Sequence, residues 1–175
     1  SSCSRWISVS DFGCAIKSKI KSSLEYITEI AKEKNNLKLF PENTILIAMY
    51  GQGKTRGQSA LLTFPATCNQ ACAALLPNES VNMIFIWHQL LLKYESLRAL
   101  GRGGNQPNLN LTLVREFEII NPPIELQNKF AQKIERIDKN IDLLTKSLEL
   151  MDDLYNSLLH KSFSGELFRE ENIEV

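Results

Sequence analysis

A chain of 175 residues, 43% hydrophobic and 23% charged, is long enough for one medium domain plus an extended element and too apolar to be disordered along its length. Cations and anions balance at 20 each, but unevenly: residues 1–122 hold 13 Lys+Arg against 9 Asp+Glu (net +4), and residues 123–175 hold 7 against 11 (net −4). Four unevenly spaced cysteines exclude a secreted disulfide framework, and the densest apolar stretch, Met83–Leu92, is interrupted by His88 and Gln89 and falls far short of the ~20 residues that cross a bilayer.

From the N-terminus, residues 6–20 read as a short strand and loop, with Lys17, Lys19 and Lys21 alternating around its end. Ser22 and Glu25 have capping-box spacing, which predicts a helix over residues 23–34 with Leu24, Ile27 and Ile30 or Ala31 on one face, ended by Asn35-Asn36. A turn at residues 39–43 feeds a strand at 44–50, whose nearly continuous apolar run points to burial on both faces. The loop Gly51-Gln52-Gly53-Lys54-Thr55-Arg56-Gly57 follows, then a second strand around residues 59–64. Residues 69–77 fit either strand or buried helix, and periodicity does not choose between them. Met83, Trp87, Leu90, Leu91, Tyr94 and Leu97 recur at helical spacing over residues 81–100, and Gly101-Arg102-Gly103-Gly104 closes that helix. A last strand is expected at 114–120. Interleaved strands and helices make residues 1–121 a mixed α and β head, so the fold class is α+β.

Asn121-Pro122-Pro123-Ile124-Glu125 then starts a helix, because a proline in the first turn gives up an N–H that has no partner there anyway. Phe130, Ile134, Ile137, Ile141, Leu144, Leu148, Met151, Tyr155 and Leu158 follow at alternating steps of three and four, with Gln127 as a polar first member. This is a heptad seam. The helix, about residues 124–160 in a segment spanning 122–161, would be roughly 55 Å long at 1.5 Å per residue. Such a seam needs another helix over it, from the same complex or from a second copy of the chain. A tail, residues 162–175, ends the chain.

Enzymatic readings fail on specific residues. Gly53-Lys54-Thr55 follows an apolar strand as a phosphate-cradling loop would, but Ala48 stands where that loop needs glycine, and no helix is expected after it to hold phosphate. Asn121-Pro122-Pro123-Ile124 is similar to the Asn-Pro-Pro-aromatic signature of amino-methyltransferases, but Ile124 offers no ring to stack on an extruded base. Cys68 and Cys72 lack a second pair, His88 and His160 are distant in sequence, and His88 sits mid-helix as a core residue would. No catalytic set, metal or cofactor is expected. The remaining signal is basic and polar: Gln52, Lys54 and Arg56 in one glycine-rich loop, Arg102, Asn105 and Gln106 in another, with Lys17 and Lys19 nearby in sequence to the first strand. These side chains reach phosphates and base edges, and loops on a rigid scaffold are where recognition residues tend to sit.

Five strings in order carry a family resemblance: Gly51 to Gly57; Asn69-Gln70-Ala71; Gly103-Gly104-Asn105-Gln106-Pro107-Asn108-Leu109-Asn110; Asn121 to Gln127; and Leu158-Leu159-His160-Lys161-Ser162-Phe163-Ser164-Gly165-Glu166-Leu167. Together with the heptad helix between the last two, the series resembles the specificity subunit of type I restriction-modification systems. The resemblance implies a target-recognition domain that reads one half of a split double-stranded DNA sequence. It also implies a long helix that packs antiparallel, as a coiled coil, against its counterpart and fixes the unread spacer. A methyltransferase subunit and a restriction/translocase subunit would dock on the assembly, and the chain itself would be non-catalytic; separately, the few, unevenly spaced cysteines fit a cytoplasmic, reducing setting. A full subunit has two heads and two helices. One of each here implies a half-subunit, completed by a second copy, or a piece of the longer protein. A protein-only adaptor with an oligomerising helix is the second reading.

Overall fold

Strand β3 (Ile45–Ala48) has all four residues buried, as its unbroken apolar run requires. Side chains alternate across a strand, so Ile45 and Ile47 enter one apolar cluster with Met83, Ile86 and Trp87, while Leu46 and Ala48 enter another with Ile7, Phe12 and Phe64. The computed structural model describes residues 3–8, 12, 19–20, 25–51, 54–101 and 108–168. Within them β3 is the centre of an antiparallel sheet, flanked by β4 (Ser59–Leu61) and β6 (Cys72–Leu75), with Ile47 opposite Ser59 on one side and Ala73 on the other. Residues 72–75, where periodicity left the choice open, are therefore strand. A second sheet has the order β2-β1-β5: β1 (Cys3–Ile7) runs antiparallel to β2 (Glu25–Thr28) and parallel to β5 (Thr67–Cys68).

Three expected elements change. The helix expected over residues 23–34 is only Glu29–Lys34 (α1), capped by the Thr28 hydroxyl, which accepts from the Ala31 N–H at 3.3 Å. Glu25–Thr28 pairs along β1 instead, because Tyr26, Ile27 and Thr28 are strand formers and a waiting edge outweighs a weak local helix preference. Residues 21–24, including the supposed cap Ser22, lie outside the described residues. The helix expected over residues 81–100 is two, α2 (Met83–Leu92) and α3 (Tyr94–Ala99), meeting at Lys93. The strand expected at 114–120 is a correction too. Leu111–Arg115 is a helical turn (α4), because the Asn110 side chain accepts from the Leu113 N–H at 2.9 Å and caps it. Ile120 then joins no ladder. Its N–H donates to Gln89 Oε1 at 2.8 Å and its carbonyl accepts from Gln89 Nε2 at 2.9 Å, so one amide side chain on α2 replaces a neighbouring strand.

Helix α5 runs Ile124–Phe163, 40 residues, or about 60 Å at 1.5 Å per residue. Its first turn opens on the Pro123 carbonyl, which accepts from the N–H of Leu126 (2.9 Å) and Gln127 (3.3 Å). Ser162 and Phe163 belong to the helix, and a 3-10 turn follows at Glu166–Phe168. The chain divides into two compact units, Ser1–Ala131 and Gln132–Val175, so the first two turns of α5 are part of the first. Among the described residues no helix is long and apolar enough to cross a membrane.

Candidate functional site

The C-terminal end of β3 is where the polar loops meet. Gly57 N–H donates to the Ala48 carbonyl at 2.8 Å, which closes the glycine-rich loop back onto the strand it left. Leu109 N–H donates to the Met49 carbonyl at 3.0 Å, which roots the far end of the segment carrying Arg102, Asn105 and Gln106 at the same place. Met49 N–H donates to the Ala71 carbonyl at 2.8 Å, bringing in the turn between β5 and β6. Three segments distant in sequence thus share two residues of backbone.

The first loop is held by its conformation and by α3. Gly51 has φ +135°, and a Cβ there would lie 2.9 Å from Thr55 Cβ, so the position is closed to other residues. The Tyr94 hydroxyl donates to the Lys54 carbonyl at 2.5 Å and accepts from Arg98 Nη1 at 2.7 Å, while the Lys54 side chain is exposed. Arg56, expected at the surface, is only 8% exposed. Its Nε lies 3.4 Å from where a Cβ at Gly101 would be, so the guanidinium is packed against the backbone that begins the second loop. Lys19 is half-buried beside Ile20, whose N–H donates to the Leu61 carbonyl at 3.0 Å. Lys17, Gln52, Arg102, Asn105 and Gln106 lie outside the described residues.

Sequence reasoning passed over the third segment as a reader. Asn69 Oδ1 accepts from the Ala71 N–H at 3.0 Å, a local turn that the Asn69-Gln70 pair between Cys68 and Cys72 could have signalled. Gln70 at its tip is exposed, and Tyr50, just after β3, is 42% exposed. Both line an open groove of about 580 Å³ together with Trp6, Ile27, Leu37 and Asn69. Beneath the turn the Cys72 thiol hydrogen-bonds Cys68 and holds it below the ordinary thiol range, against the opposite pull of burial. Among the described residues no three His, Cys, Asp or Glu side chains gather as a metal site would require.

The start of α5 is built into the first unit. Gln127, the polar first member of the seam, is 1% exposed: its Oε1 accepts from the Asn82 N–H at 2.9 Å, and its Nε2 donates to Asn121 Oδ1 (2.9 Å) and the Pro122 carbonyl (2.8 Å). Asn82 meanwhile caps α2 through its Oδ1, which accepts from the N–H groups of Ile84 and Phe85. Phe130, expected on a partner, meets Phe85 edge to face at 5.4 Å and His88 at 5.6 Å. Farther along, Ile134 is half-buried, whereas Ile137, Ile141, Leu144, Leu148, Met151, Tyr155 and Leu158 are exposed, Leu144 by 69%.

Residues 11–151 match the family described as type I restriction modification DNA specificity domain. The chain is 30% identical over 146 residues to the specificity subunit of the Escherichia coli type I restriction enzyme EcoR124I/EcoR124II, a match covering 82% of this chain and 35% of that protein. It is 26% identical over 160 residues to the type I restriction enzyme MjaIX specificity subunit of Methanocaldococcus jannaschii, covering 90% of this chain and 36% of the relative. The chain therefore spans about a third of the length of these curated relatives. Among solved structures, a chain from work on complex assembly and conformational transition of the type I R-M system superposes with a TM-score of 0.61 at 17% identity, over 100% of this chain and 45% of that one. The HsdS subunit from Thermoanaerobacter tengcongensis gives a TM-score of 0.51 at 17% identity, over 73% of this chain and 31% of the other. At that identity the likeness establishes the α+β fold.

Proposed function

Because the chain belongs to the family of type I restriction modification DNA specificity domains, we propose that its head reads one half of a bipartite duplex sequence. In the same reading α5 pairs with the helix of a second copy or second half and sets the unread spacer between half-sites. The observation that carries the reading is the meeting of three polar loops at Ala48 and Met49 on a strand buried on both faces. Reading a sequence needs several side chains held in fixed register on a firm support, and a strand buried on both faces and paired on both edges suits that role. The basic excess of residues 1–122, net +4, favours a polyanion at the head. Lys54 contacts phosphate, and Arg56, packed at Gly101, holds the two glycine-rich loops together rather than touching DNA. Specificity subunits are non-catalytic, so methylation and cleavage fall to a methyltransferase subunit and a restriction/translocase subunit.

The exposed seam supports the role of the helix, since seven large side chains from Ile137 to Leu158 would be costly to leave in water. Leu143, Leu150 and Leu154 are also exposed and form a second stripe, about 120° around the helix from the seam at 100° per residue. Two stripes suit two neighbours, a second α5 and a helix of the methyltransferase subunit.

The test is methylation mapping with the chain assembled on a methyltransferase subunit. Modification of one defined bipartite sequence is expected, and modification without sequence preference would overturn the reading. Lys54→Glu separates it from a protein-only adaptor: modification should fall sharply while assembly is unchanged.

A further inference from the structure

The groove of about 580 Å³ is lined from two directions. Trp6 of β1, Ile27 of β2 and Leu37 after α1 contribute half-buried apolar surface, Tyr50 contributes a hydroxyl, and Asn35, Asn69 and Gln70 contribute amides, of which Asn35 donates to the Ala31 carbonyl and Asn69 accepts from the Ala71 N–H. Gln70 makes no hydrogen bond to any described residue, although the turn that carries it is tied down at both ends. Asn69 Oδ1 accepts from the Ala71 N–H at 3.0 Å, Cys72 N–H donates to the Asn69 carbonyl at 3.3 Å, and the Ala71 carbonyl accepts from Met49 at 2.8 Å. An exposed amide on a turn whose backbone is hydrogen-bonded at both ends can exchange its water for a partner outside the chain with little loss of backbone freedom.

The chemistry of the lining narrows what that is. In the major groove an A·T pair presents an acceptor and a donor on adenine, N7 and the N6 amino group, next to the C5 methyl group of thymine. A glutamine amide matches the first two with one donor and one acceptor, and apolar surface matches the methyl. We propose that Gln70, steadied by the Asn69 turn and flanked by Tyr50, is a specificity-determining residue that reads adenine in the major groove, with the Trp6–Ile27–Leu37 wall against the neighbouring thymine methyl. This rests on the DNA-reading function above and adds to it a residue and a base pair. The turn places Gln70 beside the roots of both glycine-rich loops, so the base pair it reads lies within the same half-site.

The experiment is selection from a pool of randomised duplexes by the full chain assembled with a methyltransferase subunit, in about 50 mM salt so that phosphate contacts keep the complex together. Wild type is expected to enrich one sequence containing an A·T pair that Gln70→Ala no longer demands, with binding to the original sequence about ten- to a hundredfold weaker and binding to random duplex unchanged. Gln70→Glu, which keeps the size and replaces the donor by a carboxylate acceptor, is expected to shift preference at that one position toward C·G, because cytosine N4 donates. The inference is overturned alone if wild type is sequence-specific and Gln70→Ala keeps the same sequence within about twofold. It is likewise overturned if the variant weakens all duplexes equally, or if it loses the methyltransferase subunit while DNA selection persists, which would make the groove a protein site. A wild-type chain that enriches no sequence overturns the DNA-reading function together with the inference.

Discussion

Along α5 the first members of one heptad series, Gln127 and Phe130, are satisfied inside the first compact unit, whereas the members from Ile137 to Leu158 are exposed. The spacing is the same throughout. What differs is place: Gln127 and Phe130 lie in the turns of α5 that belong to the first unit, where an amide meets an N–H, a side-chain carbonyl and a backbone carbonyl at once and a ring meets Phe85 and His88. A periodic pattern says that a face will be covered and leaves the covering surface to be found from the polar residues within it.

Substitutions along the helix should therefore divide in kind, and the largest effect is expected on association. Ile141→Asp or Leu144→Asp puts a carboxylate in the middle of the exposed seam and should weaken self-association roughly a hundredfold, ~2.8 kcal/mol, measured by sedimentation, with the Tm of the isolated chain nearly unchanged. A Tm that falls instead would move the seam to the same class as Phe130. Phe130→Ala should do the reverse, lowering stability by about 2–3 kcal/mol, under the ~3–5 kcal/mol of a fully buried ring because Phe130 is half-buried, through lost contacts with Phe85 and His88, and leaving association intact. Gln127→Leu keeps the volume but strands the Asn82 N–H and the Pro122 carbonyl, at a cost of about 1–3 kcal/mol in denaturant unfolding.

The smallest effect sharpens the contrast within the head. Glu29 accepts from the Ser4 hydroxyl at 2.6 Å and pairs with Lys32 at 2.9 Å, and both hold its carboxyl below the ordinary glutamate range. A carboxylate lowered in the folded state contributes stability above its unfolded pKa and loses it as pH falls through the folded value. Glu29→Gln should lower Tm slightly at neutral pH, and the gap to wild type should close as the pH falls through the lowered folded pKa of Glu29. A gap that stays open would mean that the hydrogen bond from Ser4 matters as packing and not as charge.

Where the physics was local, the sequence was sufficient. The apolar run at residues 45–48 can only be a strand with both faces covered, and the heptads after Pro123 can only be a long helix. Residues 25–28 depart from the expected helix because their pairing with β1 is made by residues about 20 positions earlier, which no local propensity records. Residues 114–120 depart from the expected strand because the Asn110 cap and the Gln89 amide compete with a ladder at short and long range respectively. At the candidate site the two glycine-rich loops were legible from composition, but their common root was not, since it depends on Gly57 and Leu109 donating to the Ala48 and Met49 carbonyls and on the Met49 N–H donating to the Ala71 carbonyl. A loop arginine beside glycines looks the same in sequence whether it faces solvent or backbone, so the burial of Arg56 had no signature. Gln89 and Gln127 did have one: each is a lone amide at an apolar position of a helix, and each proves to be a clamp.

The packing of Arg56 on Gly101 makes the two glycine-rich loops mutually dependent parts. A Cβ at residue 101 would press on the Asn108 backbone at 3.3 Å and sit in van der Waals contact with Arg56 Nε at 3.4 Å, so a transplanted second loop is expected to keep a small residue before it and this cation across from it. Retargeting by exchange should succeed when residues 51–109 travel as a cassette and fail when either loop is swapped by itself. Inheritance of new specificities would then proceed by whole-block recombination more readily than by gradual drift in one loop.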